Sequence, residues 1–240
     1  MLALSGCGNR NDAVQDVGAD QLYEDGADMM RNNNYLGAVN SLQNLIIRYP
    51  FSQVARQAQL DLIYAYYRSG QPEAALDGAE AFIRENPRLP EVAYCLYMTG
   101  IIRFDREPNI IERIFKVDIT ERPPKETQLA FDAFQRLIRD YPDSIYVEDA
   151  RQRMVYLRNR LATYENHVAE YYISRGAYVA AINRAKYAVE HYPGAPELED
   201  SLTLMADAYE ELGMNDLAAD ARRVLAENFA ELTDESRRRK

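Results

Sequence analysis

The residue types that catalysis and metal binding draw on are scarce in this chain. Its 240 residues include two Cys and two His. A structural zinc site needs about four such ligands close together, whereas Cys7, Cys95, His167 and His191 are widely spread. The sequence has no nucleophile elbow, no Gly-rich phosphate loop and no metal-ligand cluster. Acidic residues are abundant, as a solvated helical face requires. The expectation is no catalytic residue, no metal and no cofactor, so not an enzyme. Cys95, inside "VAYCLYMTG", reads as a small buried hydrophobe. His191 adjoins Tyr192-Pro193 and suits a helix C-terminus, where a positive imidazolium is favoured. His167 falls inside a predicted helix, one or two turns from Arg160 and Glu170.

One cysteine has a different chemistry. Leu4-Ser5-Gly6-Cys7 fits a bacterial lipobox: an apolar residue, two small ones, then Cys. A signal peptidase cleft accepts the small residues, and the Cys7 thiol accepts a diacylglycerol. Each buried CH2 of the acyl chains contributes about 0.8 kcal/mol, so several chains hold firmly. Gly8-Asn9-Arg10-Asn11 then reads as a polar tether. Residues 1–6 read as the remnant of a lipoprotein signal peptide, without a positive n-region or a full h-region, and residues 7–19 as a lipidated flexible tether. No cofactor is therefore expected beyond a covalent lipid on Cys7.

Composition narrows the classes further. Lys and Arg total 28 and Asp and Glu 38, a net charge of −10. A nucleic-acid binder usually carries a basic surface, so no nucleic-acid partner is expected. No apolar run reaches the roughly 20 residues of a membrane span. The chain holds 18 Tyr and no Trp.

Those side chains must be positioned by something, and the sequence repeats. Tyr49-Pro50, Asn86-Pro87, Tyr141-Pro142 and Tyr192-Pro193 each end an amphipathic stretch. Their prolines, at 50, 87, 142 and 193, are separated by 37, 55 and 51 residues. Twelve residues before each anchor point, and before an equivalent point at Ala230, stands an alanine: Ala38, Ala75, Ala130, Ala181 and Ala218. Alanine there lets two helices approach closely. Five residues before each anchor point stands Leu45, Phe82, Leu137, Ala188 or Leu225. Gly70, Gly176 and Gly213 fall in short turns between paired helices, where glycine supplies a left-handed backbone. Proline stops the second helix of each pair.

This is the tetratricopeptide pattern. One hairpin cannot bury both faces, but stacked hairpins can. The expected fold is all-α: a right-handed superhelical solenoid of five tetratricopeptide-like helical hairpins. They are assigned to about 20–51, 54–88, 91–143, 146–194 and 197–231, within a solenoid at 20–231. The third is lengthened by an insert at 104–124. There Ile110, Ile111, Ile114 and Phe115 recur at helical spacing, for packing on the solenoid or for a partner. The fourth contains one long first helix. Residues 232–240 form a charged tail ending Arg237-Arg238-Arg239-Lys240, either a solvated helix end or a basic partner patch. Substituting Leu for Ala38 or Ala75 is expected to overpack a hairpin by about 1–3 kcal/mol, readable as a fall in denaturation midpoint.

Stretches such as "DLIYAYYRSG", with Tyr64, Tyr66 and Tyr67, and "VAEYYISRGAY", with Tyr171, Tyr172 and Tyr178, supply aromatic surface. Tyrosine loses little side-chain entropy and offers a ring and a hydroxyl, which suits peptide binding. Packing between repeats is the competing use.

The sequence resembles the outer-membrane assembly lipoprotein family BamD (ComL) of Gram-negative bacteria. The resemblance is carried by "RYPFSQVARQAQLDLIYAYY" at 48–67, "RLIRDYPDSIYVEDA" at 136–150 and "VAEYYISRGAYVAAINR" at 168–184, and runs from about Leu22 to Ala226. It implies a non-catalytic subunit of the β-barrel assembly machinery, lipid-anchored at the periplasmic face of the outer membrane. The implied partners are the BamA periplasmic domains, other Bam lipoproteins, notably BamC, and unfolded outer-membrane protein precursors. Tyr49 corresponds to a family position implicated in substrate recognition. Arg184 corresponds to one tied to BamA, with Tyr172 a weaker candidate beside it, and Tyr66 of the aromatic stretch is a further candidate for partner or substrate binding. An interface charge contributes little to folding, so Arg184→Glu is expected to leave stability within about 1 kcal/mol. Gly8 after the acylated cysteine fits outer-membrane sorting. The alternative is a generic tetratricopeptide scaffold lipoprotein organising another envelope complex.

Overall fold

The structure, a computed structural model, describes residues 17–106 and 124–238. Cys7 with the signal remnant, most of the tether, most of the 104–124 insert and the last two residues of the basic tail lie outside the described residues. Ten α-helices and no strands occur among those described: α1 (Ala19–Arg31), α2 (Tyr35–Arg48), α3 (Ala55–Arg68), α4 (Pro72–Glu85), α5 (Val92–Phe104), α6 (Lys125–Asp140), α7 (Val147–Ser174), α8 (Tyr178–His191), α9 (Leu198–Glu211) and α10 (Asn215–Arg238). The last runs to Arg238, past residue 231, where the sequence pattern ends the fifth hairpin. None is long and apolar enough to cross a membrane.

The turns within hairpins share one hydrogen-bonding scheme. Asn34, Gln71, Ala177 and Met214 each donate their backbone N–H to the carbonyl five residues back, at Met29, Tyr66, Tyr172 and Tyr209. The residue before each donates three back, closing a Schellman motif. That residue needs a positive φ: Gly70 at 76°, Gly176 at 69°, Gly213 at 70°, and Asn33 at 59°. Asparagine tolerates this backbone because its short polar side chain can bond locally. Asn33 and Gly70 are separated by the same interval as Gly176 and Gly213.

The steps between hairpins repeat as well. Tyr49, Asn86, Tyr141 and Tyr192 donate their N–H to Leu45, Phe82, Leu137 and Ala188. Their own carbonyls then accept from Ser52, Leu89, Ser144 and Ala195. The following proline has no N–H to continue the helix. Two sequence features, a left-handed turn residue and an aromatic- or Asn-Pro step, thus set the alternation of helices.

The chain divides into two compact units, residues 1–78 and 79–240, with the division inside α4. In the first, α2 packs on α1 and α3. Its core holds Ala38, Val39, Leu42, Leu45, Ala55, Ala58 and Ala65. Gly26 of α1 lies against the Leu42 side chain, where a Cβ would be 2.9 Å away. In the second, each helix packs on the next: α5 with α6, α6 with α7, α7 with α8, α8 with α9, and α9 with α10. Packing mainly on adjacent helices is how a repeat protein buries its hydrophobic faces. Ala38, Ala75, Ala130, Ala181 and Ala218 are all buried. The 28-residue α7 is about 42 Å long and packs on α9 as well as α8.

Candidate binding surfaces

In the first unit, Tyr23, Tyr49 and Tyr66 are tied down through their hydroxyls. Tyr49, at the C-terminal end of α2, donates to the Val17 carbonyl at 3.0 Å. The Arg48 guanidinium stands 5.4 Å from its ring centroid. Tyr66 on α3 is partly buried against the core, and its hydroxyl accepts from Gln43 Nε2 of α2 at 2.5 Å. Tyr23 on α1 donates to Asp61 of α3 at 2.9 Å. Burial, then this carboxylate, pushes the Tyr23 phenol up to about 12. Tyr35 and Tyr64 meet edge to face at 6.0 Å, and the Arg68 guanidinium covers the Tyr35 ring at 4.6 Å. Tyr49 and Tyr66 are therefore half-buried, with hydroxyls engaged by Val17 before α1 and by Gln43 of α2.

In the second unit, α5, α6 and α7 enclose an aromatic cluster. Tyr97 and Tyr146 stack at 4.7 Å, and Tyr97 leans on Phe134 at 6.2 Å. The Tyr97 hydroxyl donates to Asp149, which also accepts from Arg153 at 2.7 Å. Cys95 is a fully buried free thiol, and burial pushes it up to about 12.

Arg184 on α8 is the residue whose surroundings differ most from the sequence reading. Its Nη1 lies 3.3 Å from Oε2 of Glu165 on α7. The Arg184 side chain is 45% exposed, but that of Glu165 is only 9% exposed. Burial raises the Glu165 carboxyl above its ordinary range, and Arg184 pulls it back down. The expectation that Arg184→Glu leaves the fold almost untouched therefore needs correction. Arg184 is a structural counter-ion as well as a surface cation. Tyr172 is partly buried against the α7–α8–α9 core and meets the Tyr171 ring at 5.9 Å. Beside Glu165, Asn166 donates to the Glu197 carbonyl at 2.8 Å and accepts from Ser201 at 2.6 Å, joining α7 to α9. His191 stacks on Tyr187 at 3.8 Å, with its Nδ1 3.0 Å from the Tyr187 carbonyl.

Glu165, Asn166 and Ser201 are buried polar residues that the sequence reading missed. A buried Glu looks like any other helical Glu until the partner helix is known. Among the described residues, no group of three or more His, Cys, Asp or Glu could hold a metal ion.

Repeated hairpins whose prominent features are aromatic and charged surfaces define a helical-repeat protein of the tetratricopeptide type. The family profile described as "YfiO: Outer membrane lipoprotein" matches residues 15–225. The chain is 39% identical to "Outer membrane protein assembly factor BamD" of Neisseria gonorrhoeae, over 95% of this chain and 88% of that protein. It is 38% identical to the protein of the same name from Vibrio cholerae, over 90% and 91%. The chain belongs to the BamD family. Among solved structures it is similar to the MamA protein (TM-score 0.38, 18% identity, 90% of this chain and 94% of that one). It is also similar to a thermophilic TPR protein of Thermus thermophilus (TM-score 0.39, 14% identity, 92% and 96%).

Proposed function

We propose that this chain is a non-catalytic subunit of the machinery that assembles β-barrel proteins into the outer membrane. The observation carrying the proposal is the likeness to BamD assembly factors along nearly the whole of both chains. Cys7 carries the lipid that tethers the chain to the periplasmic face of that membrane. The first unit receives unfolded barrel precursors. The Tyr49 and Tyr66 rings offer apolar contact to an aromatic residue of the precursor. In the second unit, Arg184, held by Glu165 and flanked by Tyr172, meets the periplasmic domains of BamA. Its half-exposed guanidinium keeps donors facing outward while one side is occupied. Other lipoproteins of the machinery, BamC among them, complete the assembly.

Affinity purification of the chain from detergent-solubilised envelopes tests this reading. BamA is expected to co-purify, and Arg184→Gln to reduce the amount recovered while the variant remains folded. Recovery of a different envelope complex without BamA would overturn the reading in favour of a general scaffold lipoprotein.

A further inference from the structure

We propose that the Ile47–Phe51 end of α2 rests on an anionic phospholipid surface. Phe51 is 100% exposed and Ile47 76% exposed, within four residues of each other at a turn tip. Apolar side chains of this size leave water readily, and a bilayer interface takes aromatic and aliphatic groups beside arginines. The local charge fits that partner. From Met29 to Leu60 there is no Asp or Glu, in a chain of net charge −10. Arg48 and Arg56 lie in that stretch, on either side of Phe51, and both are exposed. Lipid phosphates attract cations so placed, and each cation near such a surface adds to the attraction.

Chain geometry brings this tip to a membrane. The Tyr49 hydroxyl holds the Val17 carbonyl at 3.0 Å, so the polypeptide leading back to Cys7 leaves the first unit at this same end of α2. The 10 residues from Cys7 to Val17 span at most about 35 Å. An acylated Cys7 therefore keeps Val17, and with it the Tyr49 end of α2, within about 35 Å of the bilayer that holds the lipid. A polypeptide partner would also accept the apolar pair. Asp16 and Asp20 flank Val17 at the exit point, but the lack of carboxylates from residue 29 to residue 60 and the shared exit favour lipid. This inference rests on the anchoring of Cys7 proposed above.

The chain has no Trp, so Phe51→Trp places a single reporter at the tip. The full chain is coupled through the Cys7 thiol to a maleimide-headgroup lipid in phosphatidylethanolamine–phosphatidylglycerol vesicles. Buried Cys95 does not compete. Trp emission is expected to shift to the blue and to be quenched by acyl-brominated lipids, and Ile47→Ser is expected to reduce the quenching. Emission that stays water-like and unquenched on the tethered chain would overturn the inference. So would emission that shifts only when an unfolded barrel precursor is added, which would mark the tip as a polypeptide site. Mass spectrometry of Cys7 in chain purified from bacterial membranes tests the natural acylation separately.

Discussion

Gly100→Ala is expected to destabilise the chain by about 2–3 kcal/mol, even though alanine is the better helix former by about 1 kcal/mol. Gly100 lies on α5 where that helix crosses α6. A Cβ built there would stand 2.6 Å from Phe134 Cδ1 and Cζ, and closer still to Cε1. Phe134 is fully buried, and the Tyr97 ring is packed against it. An aromatic ring cannot bend away as the end of a flexible side chain does, so α5 must move off α6. Urea denaturation with the wild-type m-value retained would measure the loss. Phe134→Leu should itself destabilise, yet should be far better tolerated in the Gly100→Ala background, giving a coupling energy of about 1 kcal/mol or more. A neutral Gly100→Ala variant would mean that the two helices are not in such close approach.

Arg184→Glu is expected to lower stability by about 2–3 kcal/mol at neutral pH. Removing one partner of a fully buried pair costs about 3–5 kcal/mol. Half-exposed Arg184 is partly screened by water, which lowers the figure. The loss should depend on pH in a defined direction. Glu165 has a raised carboxyl in the folded protein, chiefly through burial, and Arg184 opposes that rise. Relative to the unfolded chain, folded Glu165 holds its proton to higher pH, so ionising it weakens the fold. Without Arg184 this weakening grows, and the introduced carboxylate adds repulsion. The deficit should therefore be largest near pH 8 and shrink as the pH falls and Glu165 takes up its proton. Adding Glu165→Gln to Arg184→Gln should remove most of the pH dependence. Denaturation midpoints of the single and double variants across this range check the sign. A pH-independent loss would show that packing, not charge, is at stake. This also bears on partner binding, since Arg184→Gln is the gentler probe of an interface there.

The repeating architecture was legible in the sequence because it is encoded in residues with few backbone options. Pro50, Pro87, Pro142 and Pro193 cannot extend a helix, and Gly70, Gly176 and Gly213 accept a left-handed turn at little cost. Asn33 takes the same role, but asparagine is common in other settings, so it carried no comparable signal. What escaped the sequence depends on which faces of two helices meet. Gly100 reads as an ordinary small residue until Phe134 is set against it. Glu165 reads as one more solvated carboxylate until α8 brings Arg184 across. The tyrosines are similar: their number was visible, but Tyr49 and Tyr66 spend their hydroxyls on Val17 and Gln43, which no spacing reveals. Pairing between polar and aromatic side chains of two helices is a property of three-dimensional register, which the one-dimensional pattern of turns and seam alanines does not contain.

The sealed thiol on α5 gives this fold a clock. Cys95 touches no water and holds its proton tightly, so an alkylating reagent reaches it only when α5 parts from its neighbours. Its labelling rate then records how often α5 opens locally from its neighbours. The same shielding spares the sulfur from chemical damage for as long as α5 stays packed.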